Sequence, residues 1–188
     1  MTKAKRRLVR GAVCAAFAAV ICVLSPFAIP AAVPVTLATL GVYIAAGCLP
    51  AHLSALAVLL YLSIGALGAP VFSGFTGGVG RLVSPTGGYL CGYLALAALS
   101  SALISLWRRR ARRPSVPADI AVRAAAMIAG TAVLYALGTA WFVVSQKTTL
   151  AAAIPTCVLP FLPGDAAKIA VAATVSRALT PVVGRAIG

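Results

Sequence analysis

The chain has 188 residues, of which 62% are hydrophobic, 10% are charged and only two, Asp119 and Asp165, are acidic. Soluble domains carry about 25% charged residues, so this composition excludes a fold whose surface faces water on all sides. A net charge of +14 invites a nucleic-acid partner, but ten of the sixteen basic residues fall in two short clusters beside apolar runs. That placement is the signature of membrane topology and excludes a nucleic-acid-binding face.

Between Gly11 and Gly80 there is no Asp, Glu, Lys or Arg, so this stretch must be several membrane spans in series. A span needs about 20 apolar residues. Segmentation at Pro, Gly and charge predicts six helices near 8–25, 34–49, 51–69, 88–107, 118–144 and 165–186, in one all-α membrane domain covering 1–188. The first follows a basic N-terminus and resembles a signal peptide in outline, but no clean A-x-A cleavage pattern occurs around Ala28–Val33 and it is read as a retained helix. It carries small residues at spacing four, Ala12 with Ala16 and Ala15 with Ala19, which lets another helix approach closely. The second span is short and meets the third at a tight turn around Pro50.

Between the third and fourth spans lies "GFTGGVGRLVSPTGGY", Gly74 to Tyr89, with six glycines and the first basic side chain since Arg10. The fourth and fifth spans are joined by "RRRARRPSVP", and the fifth opens with Asp119 and Arg123 at i, i+4, spaced to pair or to snorkel at the interface. The stretch 149–162 is apolar but interrupted by Pro155 and Pro160 and followed by Pro163, which predicts a partly ordered or re-entrant loop. In the last span Arg177 lies about 18 Å along the helix from Asp165 at 1.5 Å per residue, within reach of headgroups.

The Lys/Arg bias fixes an expected orientation. Lys3, Lys5, Arg6, Arg7 and Arg10 and the cluster Arg108, Arg109, Arg110, Arg112 and Arg113 fall on one side of a six-span chain, the cytoplasmic side, with both termini. The opposite loops, 26–33, 70–87 and 145–164, hold only Arg81 and Lys147 among basic residues.

Two places on that opposite side carry binding chemistry. The glycine-rich loop lacks the G-x-x-x-x-G-K-[ST] spacing of a phosphate-binding loop, so no nucleotide site or other cofactor is expected. Its glycines permit positive φ and close approach to a ligand, either as a connector or as a lid over a cavity. In "PFLPGDAAKIAVAA", Asp165 stands where a helix N-cap belongs and Lys168 shares its face at i, i+3. A cation near the positive end of a helix is disfavoured, and a carboxylate–ammonium pair at membrane depth marks a functional site. The five cysteines have no metal-type spacing and His52 has no partner ligands in sequence, so no metal site is expected.

The runs "GAPVFSGFTGGVGRLVSPTGGYLCGYL" and "LPFLPGDAAKIAVAA", with "IPAAVPVTLATLGVYIAAGCLP" upstream, resemble the BioY family, the biotin-specific substrate-binding (S) components of energy-coupling-factor (ECF) transporters. The resemblance covers roughly residues 26 to 175, and Ala38 stands where the family's V-P-x-T-L-Q-T has glutamine. It implies the S-component fold in a cell membrane, capture of biotin from outside, and partnership with a transmembrane T subunit and two ATP-binding cassette subunits. It places the motif glycines with Tyr89, Asp165 and Lys168 on the ligand-binding surface, with Thr76, Gly77, Gly78 and Phe75 in the loop. Asp165 would then meet the ureido N–H groups and Lys168 the ureido carbonyl. Arg81 or Lys147 would face the carboxylate, and Val71, Phe72, Phe75 and Leu162 would supply apolar walls. The Ala12, Ala15, Ala16 and Ala19 face would dock the T subunit.

An enzyme is disfavoured, because the two aspartates are expected on opposite faces of the membrane and the chain has no Glu. Two readings stay beside the coupled transporter: a solitary transporter without ATPase partners, and an S component for another small vitamin.

Overall fold

The chain is overwhelmingly helical, and its helices lie where charge is scarce. The structure, a computed structural model, describes residues 2–29, 33–111 and 114–187; Arg112 and Arg113 of the second basic cluster lie outside these. Four helices are long and apolar enough to cross a bilayer: α1 (Lys3–Leu24), α5 (Gly87–Arg110), α6 (Val116–Gln146) and α8 (Leu162–Ile187). Between them come α2 (Ala38–Cys48), α3 (Ala51–Ala66), the single turn α4 (Gly80–Val83) and the short α7 (Leu150–Cys157). At 1.5 Å per residue the 11 residues of α2 reach about 17 Å, well short of a hydrocarbon layer of about 30 Å.

The shortness of α2 has a local cause. Pro34 has no N–H to offer a helix, and the chain around it is extended. Strand β2 (Val35–Thr36) pairs antiparallel with β1 (Ala28–Ile29), joining Ala28 to Thr36 and Ile29 to Val35. The expected second span, 34–49, therefore spends its first residues as a strand and a turn.

Helix α2 is the axis of the bundle, with nine of its eleven residues buried. A helix apolar on every side belongs inside other helices, and α1, α3, α5 and α8 pack around this one. Small residues make the approach possible. A Cβ on Gly47 would collide with Ser176 of α8, and one on Gly41 would stand 3.1 Å from Ile21 of α1.

One end of the bundle, the basic pole, gathers the start of α1, the ends of α2, α5 and α8, and the start of α6. There Arg10 Nε donates to the Ile187 carbonyl at 3.1 Å, and the Ser101 hydroxyl donates to that of Leu49 at 2.5 Å. Arg123 of α6 is the centre of this pole and is 1% exposed. It donates to Asp119 at 3.0 Å, Gly47 O at 2.9 Å, Ser176 Oγ at 3.1 Å and Thr180 Oγ1 at 3.2 Å. Sequence spacing anticipates the Asp119–Arg123 pair, but the pair is buried instead of snorkelling. Arg177, expected to reach headgroups, turns back so that its Nε lies 3.6 Å from Asp119.

The stretch read as a partly ordered loop contains α7, with Pro155 inside its last turn. Proline removes one helical hydrogen bond, and the helix ends two residues later. Thr149 caps its start, accepting from Ala152 N. Lys147, at φ 50°, ends α6 in the left-handed region that terminates many helices.

Candidate functional site

The pole opposite the arginines is hollow. A cavity of about 310 Å³ opens between the first extended segment, the glycine-rich loop and the upper ends of α5, α6 and α8. Its walls are largely aromatic and aliphatic, including Phe72, Tyr89, Leu90, Tyr93, Leu134 and Phe161. Small-molecule sites of this kind are mostly apolar with a few placed polar groups. Here Asp165, Lys168, Thr36, Thr39 and Tyr135 form one polar cluster, and Arg81 lines the cavity from the glycine-rich segment.

Asp165 is not the N-cap that its place in the sequence suggests. Helix α8 starts at Leu162, so Asp165 falls in the first turn, and its own N–H donates to the Phe161 carbonyl at 2.8 Å. Its carboxylate is thereby free of cap duty and turns into the bundle, where the residue is 3% exposed. Oδ1 accepts from Thr39 Oγ1 at 3.1 Å and from Lys168 Nζ at 3.0 Å, and Oδ2 accepts from the Tyr135 hydroxyl at 2.6 Å. A carboxylate presents about four lone-pair positions, which leaves capacity on Oδ2 for a further donor. Burial without such partners would cost several kcal/mol per charge, so these hydrogen bonds are what let a carboxylate and an ammonium stand together inside the bundle.

Lys168 is fixed just as tightly. Its Nζ donates to Thr36 O at 2.7 Å, Thr39 Oγ1 at 3.1 Å and Asp165 Oδ1 at 3.0 Å, so its three donors are engaged. The carbonyl of Thr36 is available because the β1–β2 pairing and the turn into α2 hold the backbone there. Thr39 then joins the pair from the first turn of α2, giving to Asp165 and receiving from Lys168.

Of the residues singled out in the sequence, Asp165, Lys168, Tyr89, Arg81, Thr76 and Phe72 line the cavity. Tyr89 is buried, and its hydroxyl joins Thr139 at 2.9 Å and donates to the Cys157 carbonyl at 3.1 Å. It thus presents its ring to the cavity while its polar end ties α5 to α6 and α7. Phe75, Gly77, Gly78, Val71, Leu162 and Lys147 lie outside the lining. Phe75 is exposed at positive φ and meets Phe27 edge-on with ring centroids 5.7 Å apart.

The glycines of the loop build its shape. The N–H of Gly78, at φ 97°, reaches the Gly65 carbonyl at 2.7 Å, and a Cβ on Gly77 would strike the Ala69 carbonyl. Phe72 and Thr76 bridge across the turn, pinning Phe72 against Tyr61 edge-on at 5.5 Å. The loop's far end is held by Trp141, whose indole donates to the Ser84 carbonyl at 2.9 Å.

Sequence reasoning missed Tyr135, Thr39 and Thr36 as partners of the charged pair. Thr36 and Thr39 stood inside a quoted motif, and their hydroxyl and carbonyl oxygens were the signal. Tyr135 offered only a phenol in an apolar helix, and nothing in its neighbourhood marks it apart from Tyr43 or Tyr93.

The BioY family profile matches residues 1–185. The biotin transporter BioY of Rhodobacter capsulatus is 36% identical over 155 residues, which is 78% of this chain and 78% of that protein. Biotin transporter BioY2 of Lactococcus lactis is 42% identical over 125 residues, 66% of this chain and 64% of that protein. A crystal structure of the S-component for biotin from an ECF-type ABC transporter shares the fold, with a TM-score of 0.83 at 23% identity over 95% of this chain and 94% of that one. The match along nearly the whole length, together with these relatives, shows that the chain belongs to the BioY family.

Proposed function

We propose that this protein is the biotin-binding S component of an ECF transporter. It would sit in the plasma membrane with six crossings and both termini in the cytoplasm, capture biotin in the cavity at its outer end, and import it with a T subunit and two ATP-binding cassette subunits. One observation carries the ligand assignment: a largely apolar cavity holds a paired Asp165–Lys168 cluster and, separately, one further cation, Arg81. Biotin matches that distribution, with an apolar bicycle and chain, a ureido group with two N–H donors and one carbonyl, and one carboxylate. The ureido N–H donates to the remaining capacity of Asp165 Oδ2. The carbonyl enters the Lys168 donor set in place of Thr39, one of its longer contacts at 3.1 Å. Arg81, which lines the cavity from the glycine-rich segment, is the partner for the ligand carboxylate, in a charge-assisted bond. The loop from Gly74 to Gly88 acts as the lid.

Equilibrium binding to purified protein tests the ligand directly. Biotin should bind most tightly, dethiobiotin more weakly through the same ureido contacts, and thiamine and riboflavin not at all. Tighter binding of thiamine or riboflavin than of biotin would overturn the assignment.

The partner face is supported by exposure: Ala12, Ala15, Ala16 and Ala19 of α1 are all uncovered. Ala16→Leu should leave biotin affinity unchanged and lower copurification with the T subunit severalfold, because a larger side chain holds the helices apart. Parallel loss of both would identify this face as part of the fold instead.

A further inference from the structure

The basic pole contains a second cavity, of about 330 Å³, at the opposite end of the bundle from the Asp165–Lys168 cavity. Arg108 at the end of α5, Arg123 of α6 and Arg177 of α8 line it, together with Asp119 and Thr180. Asp119 is the only acidic side chain at this end, since the chain's other carboxylate, Asp165, lies at the far pole. Both Arg123 Nε, at 3.0 Å, and Arg177 Nε, at 3.6 Å, turn to the same Asp119 oxygen. At 3.6 Å the Arg177 contact is beyond hydrogen-bond range, and that buried Nε has no hydrogen-bond partner among the described residues. Three guanidinium groups against one carboxylate leave two positive charges around this space: Arg123, which is 1% exposed, is paired with Asp119, and the surplus falls on Arg108 and Arg177.

Like charges gathered around one cavity repel one another, and an anion seated among them relieves that repulsion. Guanidinium groups bind phosphate oxygens through paired, charge-assisted hydrogen bonds. We infer that this cavity is a binding site for a phosphate-bearing anion, held by Arg108 and Arg177 over the fixed charge of Arg123. The position favours the headgroup of an anionic phospholipid, because the cavity lies at the ends of membrane-crossing helices and beside the exposed Arg109 and Arg110. Free phosphate has the same chemistry, and the experiment separates the two.

Thermal unfolding of the full chain is measured in phosphatidylcholine nanodiscs with and without phosphatidylglycerol. It is also measured in neutral detergent with inorganic phosphate against chloride of equal ionic strength. Anionic lipid should raise Tm by about 5 °C. Arg109→Gln, which removes an arginine outside the cavity, should keep that rise, while Arg177→Gln and Arg108→Gln should lose more than half of it. A matching, Arg177-dependent rise with phosphate would assign the site to free anion, and a rise with lipid alone would assign it to a headgroup; both outcomes uphold the site. No rise in either arm overturns the proposal, as does a rise that all three variants share, since that would be general attraction of basic residues to the surface. If Arg177→Gln does not yield monodisperse protein, Arg108→Gln decides the matter, because that side chain is exposed and its loss opens no core.

Discussion

Asp165→Asn is expected to reduce biotin affinity by about a hundredfold while leaving the bundle folded. The carboxylate now accepts three hydrogen bonds, from Thr39, Lys168 and Tyr135, and keeps room for a ligand donor. An amide of the same size has a single acceptor oxygen, and its NH2 group faces other donors. Lys168 loses its counter-charge, and hydrogen bonds to charged groups contribute about 1.5–3 kcal/mol each. Loss of the ureido contact alone at the upper end of that range is roughly a hundredfold. Tyr135→Phe keeps the charge and removes one orienting donor, so it should cost about 1 kcal/mol, or roughly fivefold. Isothermal titration with biotin reads both, and wild-type affinity in Asp165→Asn would remove this cluster from the ligand site.

The largest effect on stability is expected at the other pole, from Arg123→Met. Arg123 joins α6 to the end of α2 through Gly47 O and to α8 through Ser176 and Thr180, in addition to its bond with Asp119. Removing one member of a buried ion pair leaves the other uncompensated and costs about 3–5 kcal/mol. For a chain of this size that is a fall in Tm of about 10 °C. The variant leaves Asp119 with Arg177 at 3.6 Å as its nearest cation. Combining it with Asp119→Asn removes the stranded charge, and the double variant should regain part of the loss. Thermal unfolding in one detergent compares all three proteins. Wild-type melting of Arg123→Met would mean that the buried arginine is not what joins these helices.

Much of this architecture was legible in one-dimensional terms. The charge-free run from Gly11 to Gly80 pointed to apolar helices in series and holds most of α1 with all of α2 and α3, and the spacing of Asp165 and Lys168 pointed to the ion pair, which closes at 3.0 Å. What the sequence could not give was contact across distance. Tyr135 meets Asp165 only because α6 and α8 pack in one rotational register, and a phenol in an apolar helix carries no mark of that register. Asp165 looked like a cap because proline and glycine precede it, yet Pro163 fits the helix's first turn, where its missing N–H is not needed. Arg123 and Arg177 looked interfacial because arginine usually is. Burial of Arg123 depended on acceptors from α2 and α8, which are 76 and 53 residues away in sequence.

The brevity of α2 bears on how the molecule is made. Eleven residues cannot settle alone across a bilayer, and the face of α2 at Gly47 and Thr39 is covered by α8, which is synthesised more than a hundred residues later. Until the ribosome has delivered residues 162–187, this inner segment lacks the neighbour that completes its casing. The nascent protein therefore has to keep the hairpin of α2 and α3 beside α1 while the elements from α4 to α8 are still to come. A product cut short before α8 would lack Asp165 and Lys168 and would leave the α8-facing side of the central segment uncovered.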